Sequence, residues 1–403
     1  MAARQKRDTA EVKLMPLTSE EKDRWNGFCE IESEPAFFNA MLRDFGVKGV
    51  KVQEVVSLDE EILAFLPRLA DETGRKPIYG LIFLFRWRED DPVKQEQSCP
   101  ESLWFANQTV ENACATVALL NIINNIEGIE MGEELRSFRE FTKDFSPALR
   151  GNAIGNFEFV KKVHNSFARK MDILNADLLL KTQQGRKPKG KGKEEPDDSE
   201  AGFHFIAFVK AKGRVWKFDG LERQPQSLGE CMEEDWIGLA TRDIQARMAE
   251  YEEGEIEFSI LSLSKDPMIG YLAGLASNVK ALQEINRHLA ELGETGEADH
   301  EDAVLNGPDE LYGLTAPMLE LALVPELATA KGSNRAYDRA ALLSERQALV
   351  QQQALLRAQV RDEQQNRQSE LDYANSRRHD YGPAVQTWTR LLARKGKLKE
   401  LLS

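Results

Sequence analysis

Residues 107–121 read NQTVENACATVALLN, and what this stretch is decides what the chain around it must be. From Asn112 onward the residues suit a buried helix, which puts Cys114 in its first turn and Gln108 six positions ahead of it. The unpaired N–H groups of a first turn and the positive end of the helix dipole favour a thiolate over a thiol. A thiolate is the attacking form, but it needs a base or counter-ion close by. A lone cysteine before an apolar helix is more often a piece of core than a nucleophile. The case for Cys114 therefore rests on what the rest of the sequence brings to it.

Of the five histidines, His204 is the best placed. FHFIAFVK (203–210) and RVWKFDG (214–220) read as two strands joined by a Gly-containing turn. In the first, Phe203, Phe205 and Ala207 face one way, and His204, Ile206 and Phe208 the other. If Lys212-Gly213 form a two-residue loop, Ala211 pairs with Arg214 and Ile206 with Asp219. Asp219 then shares a face with His204, diagonally across. A four-residue loop sets the two directly opposite, and a three-residue loop puts them on opposite faces. With Cys114, His204 and Asp219 in that chain order, the outline is a cysteine hydrolase triad. Gln108 and the Cys114 backbone N–H would then form an oxyanion hole. Each residue alone has a plainer reading: core thiol, strand histidine, turn aspartate, solvated loop glutamine. His164, in KKVHNSF, is the competing base; it falls in a helical stretch and reads as structural. His288, His300 and His379 lie in the acidic linker or the helical tail, away from any expected core. Cys29, Cys99 and Cys231 have no paired base and read as inert.

At 403 residues the chain can bury a real core and is expected to hold more than one domain. A net charge of −14 argues against direct nucleic-acid binding and suits a basic partner. The N-terminus has no apolar h-region, so no secretory signal is expected, and no run of about 18 apolar residues is present to span a membrane. The four cysteines are scattered, without CxxC or ligand-like His spacing. That pattern points to free thiols in the cytoplasm or nucleus, with no metal site and no cofactor.

Residues 25–265 read as one mixed α/β unit. SEPAFFNAMLRDFG (33–46) is a short helix with Ser33 as cap, Pro35 in the first turn and Gly46 as its stop. VKVQEVVS (50–57) alternates like a strand, and IYGLIFLFRW (78–87) is apolar enough for a buried central one. Residues 133–174 hold two or three further helical pieces, and EIEFSILSLS (255–264) is a last strand. Residues 182–202, rich in Gly, Lys and Asp, form a mobile loop. A helix and a loop-like linker occupy 266–335, and 336–403 is a helical extension. It comprises one long charged helix with too few apolar positions for a central core, then an amphipathic helix over 385–402 after the Gly382-Pro383 break.

FANQTVENACATVALLN (105–121) strongly resembles the active-site segment of the ubiquitin carboxyl-terminal hydrolases, a papain-like cysteine peptidase family. GFHFIAFV (202–209) is similar to that family's histidine strand and WKFDGLERQP (216–225) to its aspartate segment; WNGFCEI, IYGLIFLFRWR and VHNSFA also resemble it. The resemblance implies a central, mostly antiparallel sheet flanked by helices, followed by an all-α extension. It implies Cys114 as nucleophile, His204 as general base and later acid, Asp219 as its orienter and Gln108 as oxyanion donor. The substrates would be ubiquitin and ubiquitin conjugates, cleaved after ubiquitin's C-terminal glycine through a thioester. Residues 182–202 fall where the family has a loop crossing over the active site. SRRHDYGPAVQTWTRLLARKGKLKELL resembles the end of the extension in members that associate with the proteasome or with Polycomb-type complexes, where an adaptor docks on it. The chain stops at Ser403 where proteasomal members continue into a Lys-rich tail, which leaves the adaptor open. The main rival readings are a catalytically idle ubiquitin-binding scaffold and a peptide-cleaving protease of papain type.

Overall fold

The computed structural model describes residues 25, 27–58, 78–88, 90–169, 172, 202–231, 236–251, 258–292, 304–323, 339–379 and 382–395. The expected N-terminal tail (1–24), the charged segment up to position 201, and positions 396–403 lie outside the described residues.

Helix α1 (Pro35–Asp44) begins with its proline and is ended by Gly46, whose φ of +73° suits a residue without Cβ. Its cap position is Glu34, not the expected Ser33. The helix starts one residue too late for Ser33 to cap it, and the Ser33 hydroxyl donates instead to Ser259 Oγ at 2.8 Å. Strands β1 (Val50–Glu54) and β2 (Ile78–Arg86) follow, then helix α2 (Cys114–Ile123). Three more helices, α3 (Glu133–Phe141), α4 (Pro147–Gly155) and α5 (Glu158–His164), fill the expected helical stretch. The hairpin β3 (Phe203–Ala211) and β4 (Arg214–Phe218) leads to β5 (Gln226–Glu230), helix α6 (Trp236–Ala249) and β6 (Ser259–Lys265).

The six strands form one sheet in the order β1-β6-β2-β3-β4-β5, and the β6–β2, β2–β3, β3–β4 and β4–β5 pairs are antiparallel. β2 is therefore central, as its unbroken apolar sequence requires; Phe83 and Phe85 are fully buried. Helix α2 is apolar nearly all round and lies against this sheet, with nine of its ten residues buried. The approach is close at Gly80 on β2, where a Cβ would stand 2.7 Å from Ile122 Cγ2. Phe205, Ala207 and Val209 of β3 join the core beneath α2, whereas His204 pairs with Phe85 on β2.

The described residues up to 58, those from 78 to 264 and those from Glu370 onward pack as one unit; those from Lys265 to Ser369 pack as a second. In the second, α7 (Pro267–Glu291) is capped by Asp266, which accepts from Met268 N at 2.9 Å. A short helix α8 (Ala316–Leu321) and the Asp309–Leu314 bridge interrupt the stretch expected to be loop-like. Tyr312 and Leu314 account for that order: they are buried with Leu275 and Val279 of α7 and with Val360, a cluster too sparse in sequence to show as a period. His288, placed by sequence away from any core, is buried on α7 beside Glu284 and Glu291. The long helix α9 (Arg339–Arg378) runs 40 residues, and few of them, such as Leu342, Val360 and Ala374, are buried apolar positions. Helix α10 (Gly382–Arg394) starts at the Gly-Pro pair rather than after it, because proline fits the first turn of a helix.

Candidate active site

Asn112 has φ +60°, a left-handed conformation that asparagine tolerates better than most residues. That single residue turns the chain so that Ala113 becomes the cap position and Cys114 the first residue of α2. No side chain caps this helix, so its first-turn amides are not consumed internally by a capping group. Cys114 itself is partly exposed at the head of an otherwise buried helix.

The β3–β4 register is Ala211 with Arg214 and Ala207 with Phe218, which selects the two-residue loop. Lys212 and Gly213 both have positive φ, 53° and 74°, as a tight hairpin turn of matching twist requires. Asp219 thus falls diagonally across from His204, just past the strand end. His204 Nε2 and Asp219 Oδ1 are 2.7 Å apart, and both residues are buried. Asp219 Oδ1 also accepts from Leu221 N at 2.9 Å, which fixes the carboxylate. Burial pulls the His204 pKa down, but hydrogen bonds to Asp219 and to Cys114, with the charge on each, outweigh it and raise the pKa to about 9. The imidazole therefore stands between a carboxylate and the Cys114 sulfur, and its protonated form is favoured.

Gln108 N donates to Gly220 O at 2.7 Å. A Cβ on Gly220 would lie 3.0 Å from Gln108 Cβ and 3.2 Å from Val117 Cγ1, so glycine after Asp219 is what lets the Gln108 segment lie against α2. Gln108 Oε1 is buried and accepts no hydrogen bond from the described residues. The four residues singled out from sequence thus belong to one neighbourhood at the junction of α2, β3 and β4.

His164 lies elsewhere in the same unit and has a different character. Its Nδ1 is 2.6 Å from Thr116 Oγ1 and its Nε2 is 2.7 Å from the Cys29 carbonyl. A carbonyl only accepts, so Nε2 carries the proton and Nδ1 takes the threonine hydroxyl. Full burial pushes its pKa down to about 4, so this histidine is neutral, tied at both nitrogens and in no position to act as a base.

Sequence reasoning missed the supports. Lys217, on β4 two residues before Asp219, is buried with Asp90 at 2.6 Å and Asp243 at 3.4 Å. Burial would raise the Asp90 carboxyl, but hydrogen bonds from Lys217 and Lys94 hold it well below the usual range. Glu222 shares a small recess with Asp219, Asp90 and Lys217; burial, then the charges of Asp219 and Asp90, push its pKa up. These partners are far apart in sequence and no period marks them. Asn121, by contrast, left a signal in sequence: a polar residue inside an apolar helix, with Asn125 following one turn later just past its end.

The chain has clear relatives. The family model described as ubiquitin carboxyl-terminal hydrolase, family 1, matches residues 28–249. The chain is 36% identical over 276 residues to ubiquitin carboxyl-terminal hydrolase isozyme L5 of Dictyostelium discoideum, covering 68% of this chain and 73% of that one. It is 35% identical over 282 residues to ubiquitin carboxyl-terminal hydrolase ubh-4 of Caenorhabditis elegans, covering 69% and 76% respectively. Among solved structures, that of the Trichinella spiralis UCH37 catalytic domain bound to ubiquitin vinyl methyl ester is 31% identical, covers 60% of this chain and 96% of that one, and has a TM-score of 0.47.

Proposed function

The chain belongs to family 1 of the ubiquitin carboxyl-terminal hydrolases and is a cysteine-type deubiquitinase; from that premise we propose that Cys114, His204, Asp219 and Gln108 are the residues that carry its reaction. The observation that bears most weight is His204, buried and hydrogen-bonded to Asp219, with its pKa raised by that carboxylate and by Cys114.

In the reaction, the Cys114 thiolate attacks the carbonyl carbon of ubiquitin's C-terminal glycine. The oxyanion that forms takes hydrogen bonds from the Gln108 side-chain amide and the Cys114 backbone N–H. The His204 imidazolium, oriented by Asp219, gives its proton to the departing amine, and the C–N bond breaks to leave a thioester. Water then attacks the thioester while neutral His204 takes its proton. The C–S bond breaks, ubiquitin leaves with a free carboxylate, and the thiolate–imidazolium pair is restored.

The net charge of −14 supports a basic binding partner such as ubiquitin's C-terminal tail. We place the catalytic domain at 25–265 and the regulatory extension at 336–403. Trp388 and Leu391 of the amphipathic α10 are exposed, which supports docking of an adaptor from the proteasome or a chromatin complex. Free cysteines support a cytoplasmic or nuclear location.

The test is reaction with ubiquitin carrying a C-terminal electrophile, followed by mass spectrometry. The wild-type chain is expected to add one ubiquitin and Cys114→Ala none. Labelling that persists in Cys114→Ala would remove Cys114 from the mechanism. Failure of the wild type to label, with adaptor extract present, would favour an idle ubiquitin-binding scaffold.

A further inference from the structure

Residues 103–109, which carry Gln108, belong to no strand or helix, yet Leu103, Trp104, Phe105 and Ala106 are buried. Buried backbone groups need partners, and among the described residues no strand pairs with Trp104 to Ala106 to provide them. Side chains supply them instead. Arg150 Nη1 donates to Leu103 O at 3.1 Å and to Phe105 O at 3.3 Å. The other face is held from α2. Ala106 N donates to Asn121 Oδ1 at 2.8 Å, and Asn121 Nδ2 returns a hydrogen bond to Ala106 O at 3.2 Å. Asn125, in the turn just after α2, repeats the arrangement on Trp104, with distances of 3.1 and 2.7 Å. Each amide reproduces the paired hydrogen bonds of an adjacent strand.

The spacing of the two clamps is informative. One extended residue advances about 3.3 Å, so Trp104 to Ala106 covers about 6.6 Å. One helical turn advances about 5.4 Å, so Asn121 and Asn125, which lies in the turn just after Ile123, are set nearly the same length apart. The segment therefore runs back along α2 toward its N-terminus in step with the helix, two residues to each turn. One further step takes Ala106 to Gln108 and Asn121 to Val117. The Gly220 contacts agree independently, since a Cβ there would meet both Gln108 and Val117. Cys114 lies three residues nearer the helix start, and Asn121, seven residues on, shares its helical face to within about 20°.

We propose that Asn121, through its paired hydrogen bonds to Ala106, is a positioning residue that sets the Gln108 amide at the height of Cys114. The inference rests on the reading of Gln108 as the oxyanion donor. Nucleophile and oxyanion donor are then placed by one rigid body, helix α2, and their separation does not depend on loop conformation. Asn121 is fully buried, and its loss frees Ala106 to slip by a fraction of an ångström, a displacement to which oxyanion geometry is sensitive.

A double-mutant cycle on the full chain tests this, with kcat and KM read on a fluorogenic ubiquitin C-terminal amide and ubiquitin binding measured in the Cys114→Ala background. Asn121→Ser is expected to lower kcat about ten-fold with KM changed by less than about two-fold, and to cost less than about two-fold when Gln108 is already alanine. Equal costs in both backgrounds would mean that Asn121 serves stability alone and would overturn the inference while leaving the Gln108 role intact. An unchanged kcat in Gln108→Ala itself would overturn both. Should Asn121→Ser fail to fold, Asn125→Ser, whose clamp lies two residues upstream, is expected to show the same dependence on Gln108, and additivity there would overturn the inference equally.

Discussion

Two buried histidines in one unit are held in opposite protonation states by their neighbours. His204 faces a carboxylate and a thiol, and its pKa rises to about 9; His164 faces a hydroxyl and a carbonyl, and burial lowers its pKa to about 4. For the first, the acid form needed by the leaving amine is lost as pH rises through about 9. The kcat for a ubiquitin C-terminal amide, measured against pH, is expected to fall there, and Asp219→Asn should move that limb to lower pH. For His164 the unfolded chain takes up a proton near 6.5 and the folded one only near 4. Its contribution is therefore complete above about 6.5 and is lost as pH falls. Between about pH 7 and about pH 5 it should remove about 2 kcal/mol of stability. Urea midpoints at the two pH values would reveal this loss, and His164→Gln should flatten it. At Gln108, substitution by alanine is expected to lower kcat by about 10²–10³-fold with ubiquitin binding nearly unchanged.

Among the elements, the β3–β4 hairpin and the head of α2 matter most. The hairpin turns in two residues of positive φ, so Gly213→Ala should cost about 1 kcal/mol in a denaturation experiment while kcat stays the same. Gly220, one residue beyond Asp219, has a different function. Its conformation is not left-handed, but a Cβ there meets Gln108 and Val117 at 3.0–3.2 Å. Gly220→Ala is thus expected to push the Gln108 segment off α2 and to lower kcat far more than it lowers the melting temperature, a contrast that kinetics and thermal melts on one preparation would display. Helix α2 joins these parts: it carries the proposed nucleophile Cys114 at its first residue, Thr116 against His164 and Asn121 against the Gln108 segment, and Asn125 holds that segment from the turn just after the helix.

For the whole molecule, the last two turns of α9 belong to the catalytic unit. Tyr373 stacks on Phe37, Ala374 is fully buried, Glu370 reaches the buried Lys51 at 3.3 Å, and Arg377 donates to Phe167 O at 2.7 Å. Ending the chain after Ser369 is therefore expected to lower the melting temperature of the catalytic unit, and ending it after His379 to leave it unchanged. Arg377→Ala alone should cost about 1–3 kcal/mol, since it strips a buried carbonyl of its donor. None of this was legible from the charged, Gln-rich sequence of α9, which shows no apolar stripe at these positions. What the sequence by itself determined was local: the buried strand at 78–87, the first-turn cysteine, the strand histidine and the Asp-Gly turn, each marked by an apolar run or a period of its own. It left the hairpin loop length open, because two, three or four residues all accommodate Lys212-Gly213. Tertiary structure decided that register, took Ser33 from α1 to pair with Ser259, buried Lys217 between Asp90 and Asp243, and clamped the Gln108 segment to α2. These are contacts between residues tens to hundreds of positions apart, and their partners are chosen by the packing of the folded chain, which no local pattern records.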